Sequence, residues 1–268
     1  MVRITLSLFI AALVILSILP LAMGGLRVDT PQDEEGGVKL EGDILKMSLP
    51  IEISNGGYFS IEDLLFHYVV TDLQGETVAE DSSEPVTVEA GEDKRINVEL
   101  EMNLNDFSPS HLRSLVFEGG QFNMLIEVNS YYTMRFFRFN LALNETIDFE
   151  PMINDYGIHT EGITHSYDSS AEAMTFFIPY YIYGSPMLEG QSLILRCAIF
   201  NSTSEIAEKE TAIVFSVHNE QSMEVLIVGE AAQYLLTSSD LLTISFEVEF
   251  KGISDKKSFQ YQWQGGQP

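Results

Sequence analysis

The chain has a single cysteine, Cys197, and a single tryptophan. One thiol cannot form an intramolecular disulfide, so an oxidising compartment is neither required nor excluded. Cys197 lies inside the apolar run from Leu193 to Phe200 and reads as a small buried core residue rather than a nucleophile. Basic residues are also scarce, with 14 Lys and Arg against 40 Asp and Glu and a formal net charge of -26. A field of that sign repels polyphosphate, which argues against nucleic acid as a partner. It equally disfavours adhesion to anionic lipid. No Gly-x-Ser-x-Gly elbow occurs. Phosphate-cradling glycine loops are missing too, and Gly56-Gly57, Gly119-Gly120 and Gly265-Gly266 read as bends. No cofactor is expected, and catalysis is not.

Apolar material is plentiful: 45% of the 268 residues are hydrophobic, enough to build real cores and to argue against wholesale disorder. From Ile4 to Leu26 there is no charged residue. A helix of about 20 apolar residues crosses the hydrocarbon core of a bilayer. Arg3 precedes this stretch, and Arg27, Asp29, Asp33, Glu34 and Glu35 follow it. The short head and long acidic tail put the N-terminus inside and the body outside. Residues 1–28 are therefore expected to be a transmembrane anchor or signal segment, and 29–37 an acidic spacer. Left uncleaved, the segment makes a single-pass protein of the cell membrane with an extracellular body. Cleavage near Ala22-Met23-Gly24 would instead release a secreted protein. The sequons at Asn144 and Asn201 are glycosylation candidates that agree with export.

Beyond the spacer, strand-type patterning runs almost to the end. Short segments rich in β-branched and aromatic residues alternate with Gly, Asn, Asp and Ser clusters. Only residues 105–114 and 231–236 look helical. The order of segments repeats. Leu49-Pro50-Ile51-Glu52-Ile53 is echoed by Ile178-Pro179-Tyr180-Tyr181-Ile182, and Leu64–Val70 by Leu193–Phe200. Phe122–Val128 corresponds to Leu242–Val248, and Phe136–Phe139 to Ser258–Tyr261. The fold expected is all-β: two tandem immunoglobulin- or fibronectin-III-like antiparallel sandwiches, over 38–150 and 158–263, after the N-terminal helix.

The first repeat resembles the LEA14-type, or water-stress and hypersensitive-response (WHy), domain family, with a divergent second copy following. The residues carrying the likeness are Ile51-Glu52-Ile53-Ser54-Asn55-Gly56-Gly57-Tyr58, then His67-Tyr68-Val69-Val70, Leu73-Gln74-Gly75, and the stretch from Val88 to Leu100. Where the family usually has Asn-Pro at the bend, this chain has Asn55-Gly56. The resemblance implies a non-enzymatic sandwich tied to stress protection or to membrane-associated roles. It brings no catalytic residue.

Other candidates for chemistry are few. His159, Glu161 and His165 could contribute metal ligands, but their spacing matches no tight zinc motif, so no metal is expected. The acids Glu89, Glu92 and Asp93 read as solvated charge rather than a calcium loop. The aromatics are denser than one core face requires, in Tyr131–Phe137 and in Phe176–Tyr183. Alternate residues of a strand point to opposite sides, so one face of each run must meet a domain, a partner or a ligand. The expectation is a membrane-anchored, exported, non-catalytic structural or interaction protein of the cell envelope, touching the membrane through its N-terminal helix and an unidentified protein or envelope polymer through its body. The alternative is an extracellular ligand- or polymer-recognition protein that binds through exposed aromatics.

Overall fold

A computed structural model of the protein describes residues 25–29, 37–73, 75–132, 135 and 137–265. The expected anchor helix lies almost wholly outside them. Among the described residues no helix is long and apolar enough to cross a membrane. The chain is all-β, built of antiparallel sheets, and divides into two compact units.

Unit 1 comprises the described residues up to Phe107 together with Gln121–Asp148. Its strands are β1 (Leu26–Asp29), β2 (Gly37–Glu41), β3 (Ile44–Asn55), β4 (Ile61–Thr71), β5 (Thr77–Ser82), β6 (Val86–Val88), β7 (Asp93–Asn103), β8 (Gly120–Tyr132) and β9 (Phe137–Phe149). In one sheet the long β3 carries β7 along one edge, while β2 and β1 share the other, each pairing with half of it. The second sheet runs β5-β4-β8-β9, with β6 beside β5 on β4. The alternation of β4, in which Leu64, Phe66, Tyr68 and Val70 are buried, meets Leu45, Ile51, Ile53, Val98 and Leu100 from the first sheet in a sandwich-like core.

Unit 2 comprises Ser108–Gly120 and the residues from Phe149 onward. Its strands are β10 (Ile153–Ile158), β11 (Thr164–Asp168), β12 (Ala173–Gly184), β13 (Ser192–Phe200), β14 (Glu205–Val214), β15 (His218–Val228), β16 (Asp240–Phe250) and β17 (Ile253–Trp263). Here β12 carries β15 on one edge and shares the other between β11 and β10, as β3 does with β7, β2 and β1. The second sheet runs β14-β13-β16-β17. The four sequence echoes thus fall on matching strands: β3 with β12, β4 with β13, β8 with β16 and β9 with β17. Even the register agrees, with Ile44 opposite Asn103 and Ser54 opposite Asp93, as Ala173 is opposite Val228 and Tyr183 opposite His218.

Three boundaries differ from the sequence reading. Leu26–Asp29, placed by pattern in the anchor and spacer, pairs with Glu52–Asn55 as a strand. β10 occupies residues 153–158, most of which the sequence reading left between the two domains, because its backbone completes the edge of β12. The helical excursion between β7 and β8 belongs to unit 2. It comprises the helix Pro109–Arg113, started by Ser108 Oγ accepting from the His111 amide, and a wider turn over Ser114–Glu118. Arg113 fastens it there, donating to the Ser254 carbonyl and the Asp255 carboxylate, whose other oxygen accepts from the Tyr156 hydroxyl. The helix Glu230–Thr237 caps the other end, with Trp263 Nε1 donating to the Leu235 carbonyl at 2.7 Å.

Candidate functional site

β12 reads Ala-Met-Thr-Phe-Phe-Ile-Pro-Tyr-Tyr-Ile-Tyr-Gly, and its burial alternates residue by residue. Met174, Phe176, Ile178, Tyr180 and Ile182 fill the core. Thr175, Phe177, Pro179, Tyr181 and Tyr183 point the other way and are half-buried. The sequence excess of aromatics therefore resolves into one core row and one outer row on a single strand.

Cross-strand pairing sets the neighbours of the outer row. Phe177 is opposite Glu224 on β15 and Thr164 on β11; Tyr181 is opposite Glu220 and Gly157; Tyr183 is opposite His218 and Asp155. Tyr181 and Tyr183 stack with centroids 5.2 Å apart, His159 lies 5.0 Å from Tyr181, and His218 lies 5.4 Å from Tyr183. Gly157 provides the seat, since a Cβ there would come within 2.9 Å of the Tyr181 hydroxyl. The Tyr183 hydroxyl donates to Glu220 Oε1 at 2.6 Å, and that carboxylate holds the phenol above its ordinary pKa. Asp155 is neutralised by Lys257 at 2.8 Å, which holds its carboxyl below the usual range. Glu220 and Glu224 have no basic partner among the described residues. Phe177 has no ring partner among them. Further along the same face Leu226 and Val228 are 57% and 59% exposed.

Arg196 on β13 gathers Glu210, Glu247 and Glu249 from the two flanking strands, with contacts of 2.7 to 3.4 Å.

The metal candidates are not brought together. His159 stacks on Tyr181, on the outer face of the sheet, whereas His165 pairs with Phe176 and packs 4.7 Å from Trp263. Phe176 and Tyr181 lie on opposite faces of β12, so the two imidazoles cannot share an ion; Glu161 is exposed in the turn between them. Cys197 is fully buried, and burial pushes its thiol up to about 12, which leaves it un-ionised and inert. Glu92 accepts from the Glu89 amide, and Glu89 from Ser60 Oγ, as in an ordinary exposed turn. Of the sequons, Asn144 is exposed on β9, and Asn201 anchors the β13–β14 turn by accepting from Thr203 and Ser204.

Asn55, centre of the bend that carries the family resemblance, is 1% exposed and acts as a structural hub. Its Nδ2 donates to the carbonyls of Phe59, Val88 and Glu89, and its Oδ1 accepts from the Gly57 amide. The second aromatic run serves the same bend, because the buried Tyr132 hydroxyl accepts from the Tyr58 and Phe59 amides.

Alternation within residues 176–183 was enough to flag the outer row. Sequence gave no signal for His218, Glu220 and Glu224, which arrive from a strand far along the chain and join the site only through register.

No protein-family model matches the chain, and no curated protein matches it. Among solved structures it is similar to a protein from Archaeoglobus fulgidus, 16% identical over 46% of this chain and 95% of that one, with a TM-score of 0.34. It is also similar to the Northeast Structural Genomics Consortium target SoR45, 17% identical over 47% of this chain and 86% of that one, at 0.29. Red sea bream transglutaminase is 9% identical over 85% of this chain but only 31% of its own length, at 0.30. At such scores these likenesses carry no argument about what the chain does.

Proposed function

We propose that the protein is a membrane-anchored, exported, non-catalytic interaction module of two immunoglobulin- or fibronectin-III-like sandwiches, working through the outer face of the β10/β11-β12-β15 sheet. The carrying observation is the outer row Phe177, Pro179, Tyr181 and Tyr183, apolar residues turned away from a core that is already complete. The apolar run from Ile4 to Leu26, between a short head and an acidic tail, supports the anchor and the export. A non-catalytic role is supported by the buried, un-ionised Cys197 and by the separation of His159 from His165. The resemblance of the Asn55 bend to the LEA14-type family points the same way, toward a protective or membrane-associated role. Recognition of a sugar polymer by stacking is less well supported, since Tyr181 and Tyr183 each have two ring neighbours and spend their faces on one another.

Footprinting of intact cells tests the reading. A membrane-impermeant amine reagent should label the lysines of the body without lysis, and hydroxyl radicals should modify Phe177 and Tyr183 less on cells than in the purified protein. Labelling that requires lysis overturns the export. Equal modification in both samples overturns the interaction face.

A further inference from the structure

Building on that interaction reading, we propose that the outer face of this sheet holds an extended Lys- or Arg-bearing segment of a protein partner, centred on Phe177, Glu220 and Glu224. The first argument is the pairing of ring and carboxylate. Phe177 and Glu224 are directly opposite each other on β12 and β15, and Tyr181 and Glu220 repeat the arrangement four residues on. A guanidinium that stacks on the Phe177 ring has Glu224 beside it to accept its N–H groups, the arrangement arginine satisfies best.

The second argument comes from unit 1, where the same sheet is built in the same register. At the positions of Phe177, Tyr181 and Tyr183, β3 carries Ser48, Glu52 and Ser54. Outer aromatics are therefore no requirement of this fold. Unit 1 instead holds its cations of this face in ion pairs: Lys46 with Glu101 at 3.1 Å and with Glu41 at 3.2 Å, and Arg95 with Glu52 at 3.5 Å. Arg95 stands where unit 2 has Glu220. Unit 2 has an acid where unit 1 has that cation and retains the acid of Glu99 as Glu224, and a partner would supply the missing positive charge. With a net charge of -26, the chain also steers cations toward itself and repels a second copy.

The third argument is geometric. Glu220 and Glu224 lie four residues apart on a strand, about 13 Å, too far to share one ion but matched to cationic side chains four residues apart on an extended chain. Leu226 and Val228 continue the face as apolar contact beyond the last carboxylate.

The test is calorimetric titration of the full chain, in uncharged detergent micelles at near-physiological salt. The probe is a synthetic peptide of serine with arginine at every fourth position, and the control carries glutamate in place of arginine. Saturable binding of the arginine peptide alone is expected. Phe177→Ser, which leaves the net charge unchanged, should weaken it about tenfold or more, as should Glu220→Gln combined with Glu224→Gln. Glu99→Gln, at the position of Glu224 in unit 1, should leave it unchanged. If Phe177→Ser fails to fold, Phe177→Leu keeps the apolar volume and removes the ring. No binding, or equal binding by all variants as expected of diffuse attraction to an acidic chain, overturns the proposal. If the peptide fails while Phe177 and Tyr183 remain protected on cells, the cationic occupant is wrong and the interaction face stands; loss of both removes both.

Discussion

The two units share one strand order and one register but carry different residues on the outer face of their first sheet. On the outer side of the first sheet in unit 1, Lys46, Glu52 and Arg95 close a set of ion pairs. Exposed pairs of this kind add little stability, on the order of 0–1 kcal/mol each, but they neutralise much of the charge on that face, which carries no aromatic row. The corresponding sheet of unit 2 replaces them with Phe177, Tyr181 and Tyr183 beside Glu220 and Glu224. Backbone geometry tolerates both solutions, because outward positions on a strand are free of the packing that fixes the inward ones. What a duplicated sandwich keeps is its core alternation; what it can change is the face that the core does not see.

The comparison breaks most sharply at the end of the central strand, where Asn55 in unit 1 corresponds to Gly184 in unit 2. Asn55 makes three donor bonds to carbonyls, and the Val88 bond is buried. At Gly184 the space for a side chain is already taken, since a Cβ would sit almost on top of the Met152 carbonyl oxygen. Exchanging the residues should therefore harm both units. Asn55→Gly and Gly184→Asn are each expected to cost about 2–4 kcal/mol, the first from unsatisfied buried carbonyls and the second from overpacking. Urea denaturation followed by a probe in each unit checks this, and a neutral result for either would mean that the two ends are not built as different solutions.

The anchorage of the helical excursion on unit 2 comes next. Asp255→Asn weakens the bonds from Arg113 and Tyr156 and should cost about 1–2 kcal/mol at neutral pH. Burial disfavours the Asp255 charge, but the Tyr156 hydroxyl and the Arg113 guanidinium outweigh it and hold the carboxyl below its ordinary value. A carboxyl depressed on folding stabilises fully above its unfolded pKa, about 3.9, and loses that contribution as pH falls through the lower folded value. The difference in Tm between wild type and Asp255→Asn should accordingly be present from about pH 5 upward and shrink below about pH 4. A difference that persists unchanged into acid would assign the loss to packing instead.

A graft sharpens the surface comparison at a modest cost in stability. Ser48→Phe with Arg95→Glu gives unit 1 the ring and carboxylate of unit 2; it breaks the Arg95–Glu52 pair and sets two acids opposite each other, a cost of about 1 kcal/mol. Peptide stoichiometry should rise from one to two; if it stays at one, Tyr181, Tyr183 or the histidines are needed as well. The smallest effect concerns Cys197. Its thiol should ignore an aromatic disulfide reagent at pH 8 in the native protein and react fully in urea, because burial keeps it protonated and shielded. Rapid native reaction would mean that β13 opens.

Much of the architecture was legible from residue order alone. Strand alternation, the repeated blocks and the turn clusters indicated an all-β duplicated chain, because period-two patterning is local and survives reading without coordinates. The same alternation in residues 176–183 showed that one aromatic row had to face outward. Local pattern could not reveal that Leu26–Asp29 and Ile153–Ile158 complete sheet edges, nor that Ser108–Gly120 leaves one unit for the other, since those segments are fixed by partners distant in sequence. His159 and His165, close in sequence, are separated by the plane of a sheet, while Phe177 and Glu224, 47 positions apart (224 − 177), are brought level by register. Composition and periodicity are properties of the chain and decided the class of fold; register and the choice of face are properties of pairing, and only the tertiary structure could assign them.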